Sequence, residues 1–314
     1  MWEKIKGFFR LIRWFNLLIA GLCFIFFHQF IIRPALVNVE PTLNLYEVIA
    51  LALAVMSIMA AGNILNDYYD YPQDNQFKPK RVVIGKYISY NVVPYWVVAF
   101  NLLGLALAAW ISYTSNNLKL LNIFFLAALL LWQYSAVLKR YFLVGNIVVA
   151  FLCGVVFILP VLYEKKLFTA ELPPRVTYYV FAQMKGYFVF AFFITLIREI
   201  VKDAEDYEAD KEYGMRTLPV VIGMRKAALV AGSLQLMLMI AILFVLYIYW
   251  KTGLKNHFWY AALFVFFPLL VNVIPLMVAH RGKDFAVQSV MLKLSMVFGL
   301  ASLPLFYVFN RFSL

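Results

Sequence analysis

Charge is what this chain has least of. Only 14% of its 314 residues are Asp, Glu, Lys or Arg, where a soluble domain carries about 25%. Hydrophobic residues make up 64%. They cannot all enter one core, which excludes a soluble fold with an ordinary hydrated surface. Cysteine is scarce too. Cys23 and Cys153 each fall inside an apolar run, so buried free thiols are expected and a disulfide framework is excluded. The three histidines, His28, His257 and His280, stand singly, which argues against a zinc or haem site. No small-residue cleavage site follows the first apolar run, so a retained span is expected there.

What the chain does have is long apolar runs. A spanning helix needs about 20 such residues. Nine candidates follow, at 12–31, 46–66, 89–112, 119–137, 142–162, 178–200, 226–249, 257–279 and 286–308. The expected architecture is an all-α polytopic membrane protein. Its nine transmembrane helices surround a central cavity open toward the cytoplasmic side, and residues 1–314 form a single domain. Eighteen of the 28 Lys and Arg lie in the N-terminal segment and the loops after spans two, four, six and eight. The positive-inside rule puts those segments in the cytoplasm and the C-terminus outside. The net charge of +12 sits in short loops. It therefore suggests orientation and an anionic, membrane-borne substrate rather than nucleic acid. Nothing implies a protein partner beyond membrane lipids. Lys185 and Lys293 fall within spans, where snorkelling to an interface is the simpler reading.

The acids are distributed differently. Ten of 16 crowd two short stretches on the same side. One reads Asn66-Asp67-Tyr68-Tyr69-Asp70-Tyr71-Pro72-Gln73-Asp74; the other runs from Asp203 through Asp206 to Asp210, preceded by Glu199. Both place Asp at i, i+3 and i+7, one face of a helix, directly after an apolar span. Pro72 lacks a helix donor, so the first helix is expected to end near Tyr71 with Asp74 on a loop. Like charges repel, and such faces need cations. Mg²⁺ takes hard oxygens and commonly binds through one or two carboxylates plus substrate phosphates. Two such faces opposed across a cavity can hold a diphosphate and neutralise it as a leaving group. Lys78, Arg81, Lys139, Arg198, Lys202 and Arg216, in the segments on the same side as the acids, are cations that could contact the remaining phosphate oxygens.

These residues resemble the UbiA-type intramembrane prenyltransferases. Asn66 to Asp74 is similar to the family's NDxxDxxxD, with Pro79 and Arg81 as its tail. The run Arg198 to Asp210 is similar to its DxxxD-type motif, continuing to Gly214 and Arg216-Thr217-Leu218-Pro219. Tyr134-Ser135, Lys139, Asn146 and Gly154 look like the family's fourth and fifth spans, and Arg13 and Asn16 like its start of span one. The chain departs from the pattern at Phe77 and Val82, where the family often has Asn and Pro.

The resemblance implies Mg²⁺ as cofactor, with a prenyl diphosphate and a lipophilic acceptor as substrates. It implies metal positions at Asn66, Asp70, Asp74, Asp203, Asp206 and Asp210, and diphosphate contacts at Asn66, Asp67, Lys78, Arg81, Lys139, Arg198, Lys202 and Asp203. Asp70, Asp74, Asp206, Asp210 and Tyr134 would be catalytic, with Tyr134 facing the reacting carbon. The Arg198 to Asp210 run with Thr217-Leu218-Pro219 looks most like the geranylgeranylglycerol-phosphate geranylgeranyltransferase branch. Branches that prenylate hydroxybenzoate, homogentisate or dihydroxynaphthoate share the metal motifs. Among rivals, a transporter would place charges near the midplane, and a CDP-alcohol phosphotransferase would begin with an Asp-Gly-x-x-Ala-Arg run that is absent. A purely structural membrane protein needs no acid clusters.

Overall fold

In a computed structural model, residues 2–36, 39–79, 82–169 and 172–311 are described. Among them no strand forms beyond one isolated bridge, Ile84 to Ile88. Among the described residues, nine helices are long and apolar enough to cross a membrane: Trp14–Ala35, Leu45–Phe77, Tyr90–Thr114, Leu118–Ala136, Val144–Tyr163, Pro174–Glu205, Met224–Lys251, Lys255–Val278 and Gly282–Leu305. They are spans one to nine below. An additional amphipathic helix, Trp2–Leu11, precedes them, with Trp2, Ile5 and Phe9 exposed and Leu11 buried. Charged and apolar faces at this spacing suit an interfacial helix.

Two spans overrun their sequence limits. Span two continues through the first acidic motif to Phe77, with Pro72 inside it. The expectation that the helix stops near Tyr71 is therefore corrected, and Asp74 belongs to the last helical turn. Pro72 removes only its own donor, and the Lys78 amide still bonds the Asp74 carbonyl at 2.8 Å. Span six runs to Glu205, and a short helix, Tyr207–Glu212, carries on after a break at Asp206. The second motif thus straddles a helix junction rather than one regular face, which corrects the simple i, i+3, i+7 picture. The ladder still bridges the break, since the Asp206 amide bonds the Lys202 carbonyl and the Asp210 amide bonds the Asp206 carbonyl, at 2.9 and 3.0 Å.

The chain divides into two units. The first holds most of span one, spans two to four and the end of span five. Span two is its axis, packed against spans one, three and four. Of its apolar stretch 61% is buried, against 11% for span four, so most of span four is left uncovered by the rest of the chain. Close packing in lipid relies on small residues. Span two supplies Ala50, Ala52, Ala54, Ala60, Ala61 and Gly62. Gly104 of span three sits so near that a Cβ there would meet the Ala54 carbonyl at 3.0 Å. The second unit holds the start of span five, most of span six and spans seven to nine. Gln235 of span seven donates to the Leu269 carbonyl of span eight and accepts from Asn272, at 2.7 and 3.2 Å. Such bonds fasten helices where water is absent. Cys23 and Cys153 are free thiols.

The first unit also buries a carboxylate that the sequence did not single out. Glu164, just past span five, is fully buried with His28 of span one. It accepts from the Thr42 amide and hydroxyl at 2.8 and 2.6 Å, and His28 Nε2 lies 3.7 Å away. Burial pushes the Glu164 carboxyl up, but the contacts with His28 and Thr42 outweigh it and hold it below the usual carboxylate range. A depressed carboxylate adds stability above its ordinary titration range and loses it as pH falls through the lowered value. Glu164→Ala strands these donors and is expected to cost about 2–4 kcal/mol, read as a lower melting temperature in detergent at neutral pH. The difference from wild type should shrink in acid.

Candidate active site

Each acidic stretch carries its own network. At the end of span two, Asn66 Nδ2 donates to Asp70 Oδ2 at 2.8 Å, an i to i+4 contact along one helix face. Lys139, just past span four, reaches the same pair: its Nζ donates to Asp70 Oδ1 in a close ion pair and to Asn66 Oδ1 at 3.4 Å. Its side chain is only 9% exposed, so this charge is taken out of water and needs the carboxylate. Asp67 turns elsewhere and accepts from Arg13 Nη2 at 2.8 Å. Asp74 is half-buried in the last turn, Lys78 follows as the helix cap, and Tyr134 is half-buried in span four. Arg81 lies outside the described residues. In this unit, then, Asn66, Asp70 and Lys139 come together.

In the second unit, Asp203 Oδ2 accepts from Asn146 Nδ2 of span five at 2.7 Å. Asp210, buried in the short helix, accepts from the Thr217 hydroxyl at 3.1 Å. The Arg216 amide bonds the Arg140 carbonyl at 2.9 Å, tying the loop after the motif to the start of span five, while the Arg216 side chain is exposed. Arg198 and Lys202 converge on buried Glu199, at 3.2 and 3.1 Å. Lys185 is exposed and Lys293 half-buried. Glu199 was legible only as one acid in a run, since sequence does not show that both cations meet it. Arg13, Asn146 and Thr217 carried a family likeness but no role, because their partners lie on other elements.

Among the described residues, no three His, Cys, Asp or Glu side chains form a ready-made metal cage. The donor set nonetheless fits Mg²⁺. Asn66, Asp70 and Asp74 in one unit and Asp203, Asp206 and Asp210 in the other offer only hard oxygens, and Mg²⁺ completes its shell with water and phosphate.

A family model described as the UbiA prenyltransferase family matches residues 30–297. The chain belongs to that family. It is an integral membrane enzyme, a prenyltransferase. It is 33% identical, over 72% of its length and 72% of the other's, to a digeranylgeranylglyceryl phosphate synthase from Methanoregula boonei. Among solved structures it is similar to one of a digeranylgeranylglyceryl phosphate synthase in membranes, with a TM-score of 0.62 and 24% identity over 98% of this chain and 99% of that one. It is also similar to a UbiA homologue from Archaeoglobus fulgidus bound to GPP and Mg²⁺, with a TM-score of 0.57 and 20% identity over 95% of this chain and 99% of that one. The all-α fold of nine apolar helices read from sequence is the family's fold.

In this family enzyme a carboxylate that lacks its neighbour's support should work poorly. Asn146→Ala removes the amide that orients Asp203. It is expected to lower turnover roughly 10–100-fold, the usual effect of losing an orienting partner. Steady-state rates in detergent, beside an unchanged gel-filtration profile, check this.

Proposed function

We propose that this chain transfers a geranylgeranyl group from its diphosphate to geranylgeranylglycerol phosphate, with Mg²⁺ as cofactor. The observation that carries the reading is Lys139 shared between Asn66 and Asp70 at the end of an apolar helix. It pairs a phosphate-seeking cation with the hard oxygens that a divalent ion needs. The second acidic stretch supports it with the same chemistry, and the relatives' name, digeranylgeranylglyceryl phosphate synthase, supports the choice of glycerol phosphate over an aromatic ring.

On this reading Asn66, Asp70, Asp74, Asp203, Asp206 and Asp210 hold Mg²⁺, which would neutralise charge on the departing diphosphate. Lys139, Lys78 and Arg81, with Arg198, Lys202 and Asp203, orient the diphosphate. The salt bridges of Lys139, Arg198 and Lys202 keep these cations at the helix ends until phosphate oxygens take over their donors. Asn146 and Thr217 fix the rotamers of Asp203 and Asp210. Tyr134 faces the reacting carbon, where an aromatic surface stabilises allylic cationic character. The surrounding apolar helices exclude water that would otherwise consume the prenyl group. As the allylic C–O bond to the diphosphate breaks and diphosphate leaves, the acceptor hydroxyl oxygen forms the new C–O bond and a base takes its proton. Residues 1–314 act as one transmembrane domain, with the N-terminus and the acidic motifs on the cytoplasmic side, as the basic loops favour.

Purified protein with labelled geranylgeranyl diphosphate should convert geranylgeranylglycerol phosphate to an ether-linked product. Transfer to hydroxybenzoate, homogentisate or dihydroxynaphthoate instead would reassign the acceptor. EDTA should stop the reaction and Mg²⁺ restore it. Asp70→Ala and Asp206→Ala should each reduce turnover below detection in protein that still elutes as a folded species. Full activity in either variant would remove the metal assignment.

A further inference from the structure

Arg13 joins the N-terminal helix to span one in a left-handed conformation, φ 53° and ψ 49°. Among the described residues only Asn116 and Leu143 share this without being glycine. A side chain with a Cβ has no local reason to adopt it, and arginine lacks the short amide that lets asparagine do so. The compensation comes from span two. Asn63 Nδ2 donates to the Ile12 carbonyl at 3.0 Å, and Arg13 Nη2 donates to Asp67 Oδ1 at 2.8 Å. Asn63 and Asp67 are four residues apart, so they form one stripe of that helix. Beside them Leu11, Ile12 and Leu17 pack with Ala60 and Ile64. The hinge is therefore seated on span two within one turn of Asn66 and Asp70, and it is seated through Asp67.

The charge arrangement gives this seat a role. Three carboxylates lie within eight residues, at Asp67, Asp70 and Asp74. Lys139 takes Asp70 and Arg13 takes Asp67. The Arg13 guanidinium thus cancels the carboxylate that would otherwise repel its neighbours' charge and compete for a divalent ion. A side chain held by Arg13 is also held in one rotamer, which fixes the helix turn presenting Asn66 and Asp70.

We propose that Arg13 is a positioning residue for prenyl transfer and that Asp67 is its anchor, not a metal ligand. The proposal rests on the function given above and refines the site read from the sequence, taking Asp67 out of its expected diphosphate contacts. The test uses full-length protein in detergent with Arg13→Ala, Arg13→Lys, Asp67→Ala and the double variant Arg13→Ala/Asp67→Ala. Two quantities are read: KM and kcat for geranylgeranyl diphosphate, and the melting shift produced by Mg²⁺ with a geranylgeranyl thiolodiphosphate that does not turn over.

Arg13→Ala should raise KM roughly tenfold with a smaller change in kcat. Arg13→Lys should recover most of that loss. The double variant should be no worse than Arg13→Ala, because one interaction is removed twice. The Mg²⁺-dependent melting shift should survive in Asp67→Ala. The proposal is overturned if Asp67→Ala abolishes that shift while Arg13→Ala leaves it and KM untouched. It is also overturned if the two losses simply add. The melting shift and the coupling between the two residues in thermal unfolding are read without turnover. Absence of product from wild-type enzyme would count against the acceptor and not against this pairing.

Discussion

An ionised carboxylate at the end of an apolar helix has to be answered by a cation or a donor. In bulk water solvent does this; beside lipid another part of the chain must. Much of the polar architecture here obeys that constraint. Arg13 answers Asp67, Lys139 answers Asp70, Asn146 answers Asp203, and Thr217 answers Asp210. Arg198 and Lys202 share Glu199, and Thr42 with His28 serves Glu164. Except at Glu199, whose cations lie on its own helix, each answer brings a different segment to the acid. The same contacts that make the acids tolerable therefore also tie the elements of each unit together.

The pairing also prepares chemistry. A lysine held on a carboxylate is already desolvated and already aimed, so little ordering remains when an anionic substrate arrives. On the proposed reading the ion pairs at Asp70 and Glu199 hold these cations in place, and phosphate oxygens take over their donors. Glu164 is different. Its partners are the Thr42 amide and hydroxyl, the Lys166 amide and an imidazole, all within the first unit and none from either acidic stretch.

Helix continuity decides how the acids are presented. Span two carries Asn66, Asp70 and Asp74 on one uninterrupted helix, because Pro72 sacrifices a single donor and the turns around it keep theirs. The second stretch breaks at Asp206, so Asp203 belongs to the span and Asp210 to a separate short helix. Two motifs with the same spacing thus reach different geometry. A rigid set faces one way in the first. In the second a junction lets Asp210 turn toward Thr217.

Hydrophobic run length and acid spacing determined a great deal by themselves. Twenty apolar residues in a row have one stable solvent, and ten acids in two short stretches need cations; both are local properties that composition and periodicity display. The nine apolar helices among the described residues and the two acid clusters were legible for that reason, while the family was legible from the motifs that Asn66 to Asp74 and Arg198 to Asp210 resemble. Tertiary structure alone decided which cation meets which acid. Lys139 stands 69 residues from Asp70, Arg13 54 from Asp67 and Asn146 57 from Asp203. Nothing in spacing along the chain encodes those meetings, which depend on how neighbouring spans pack. The left-handed turn at Arg13 and the buried Glu164 were hidden for the same reason, since each has side-chain partners from a distant segment.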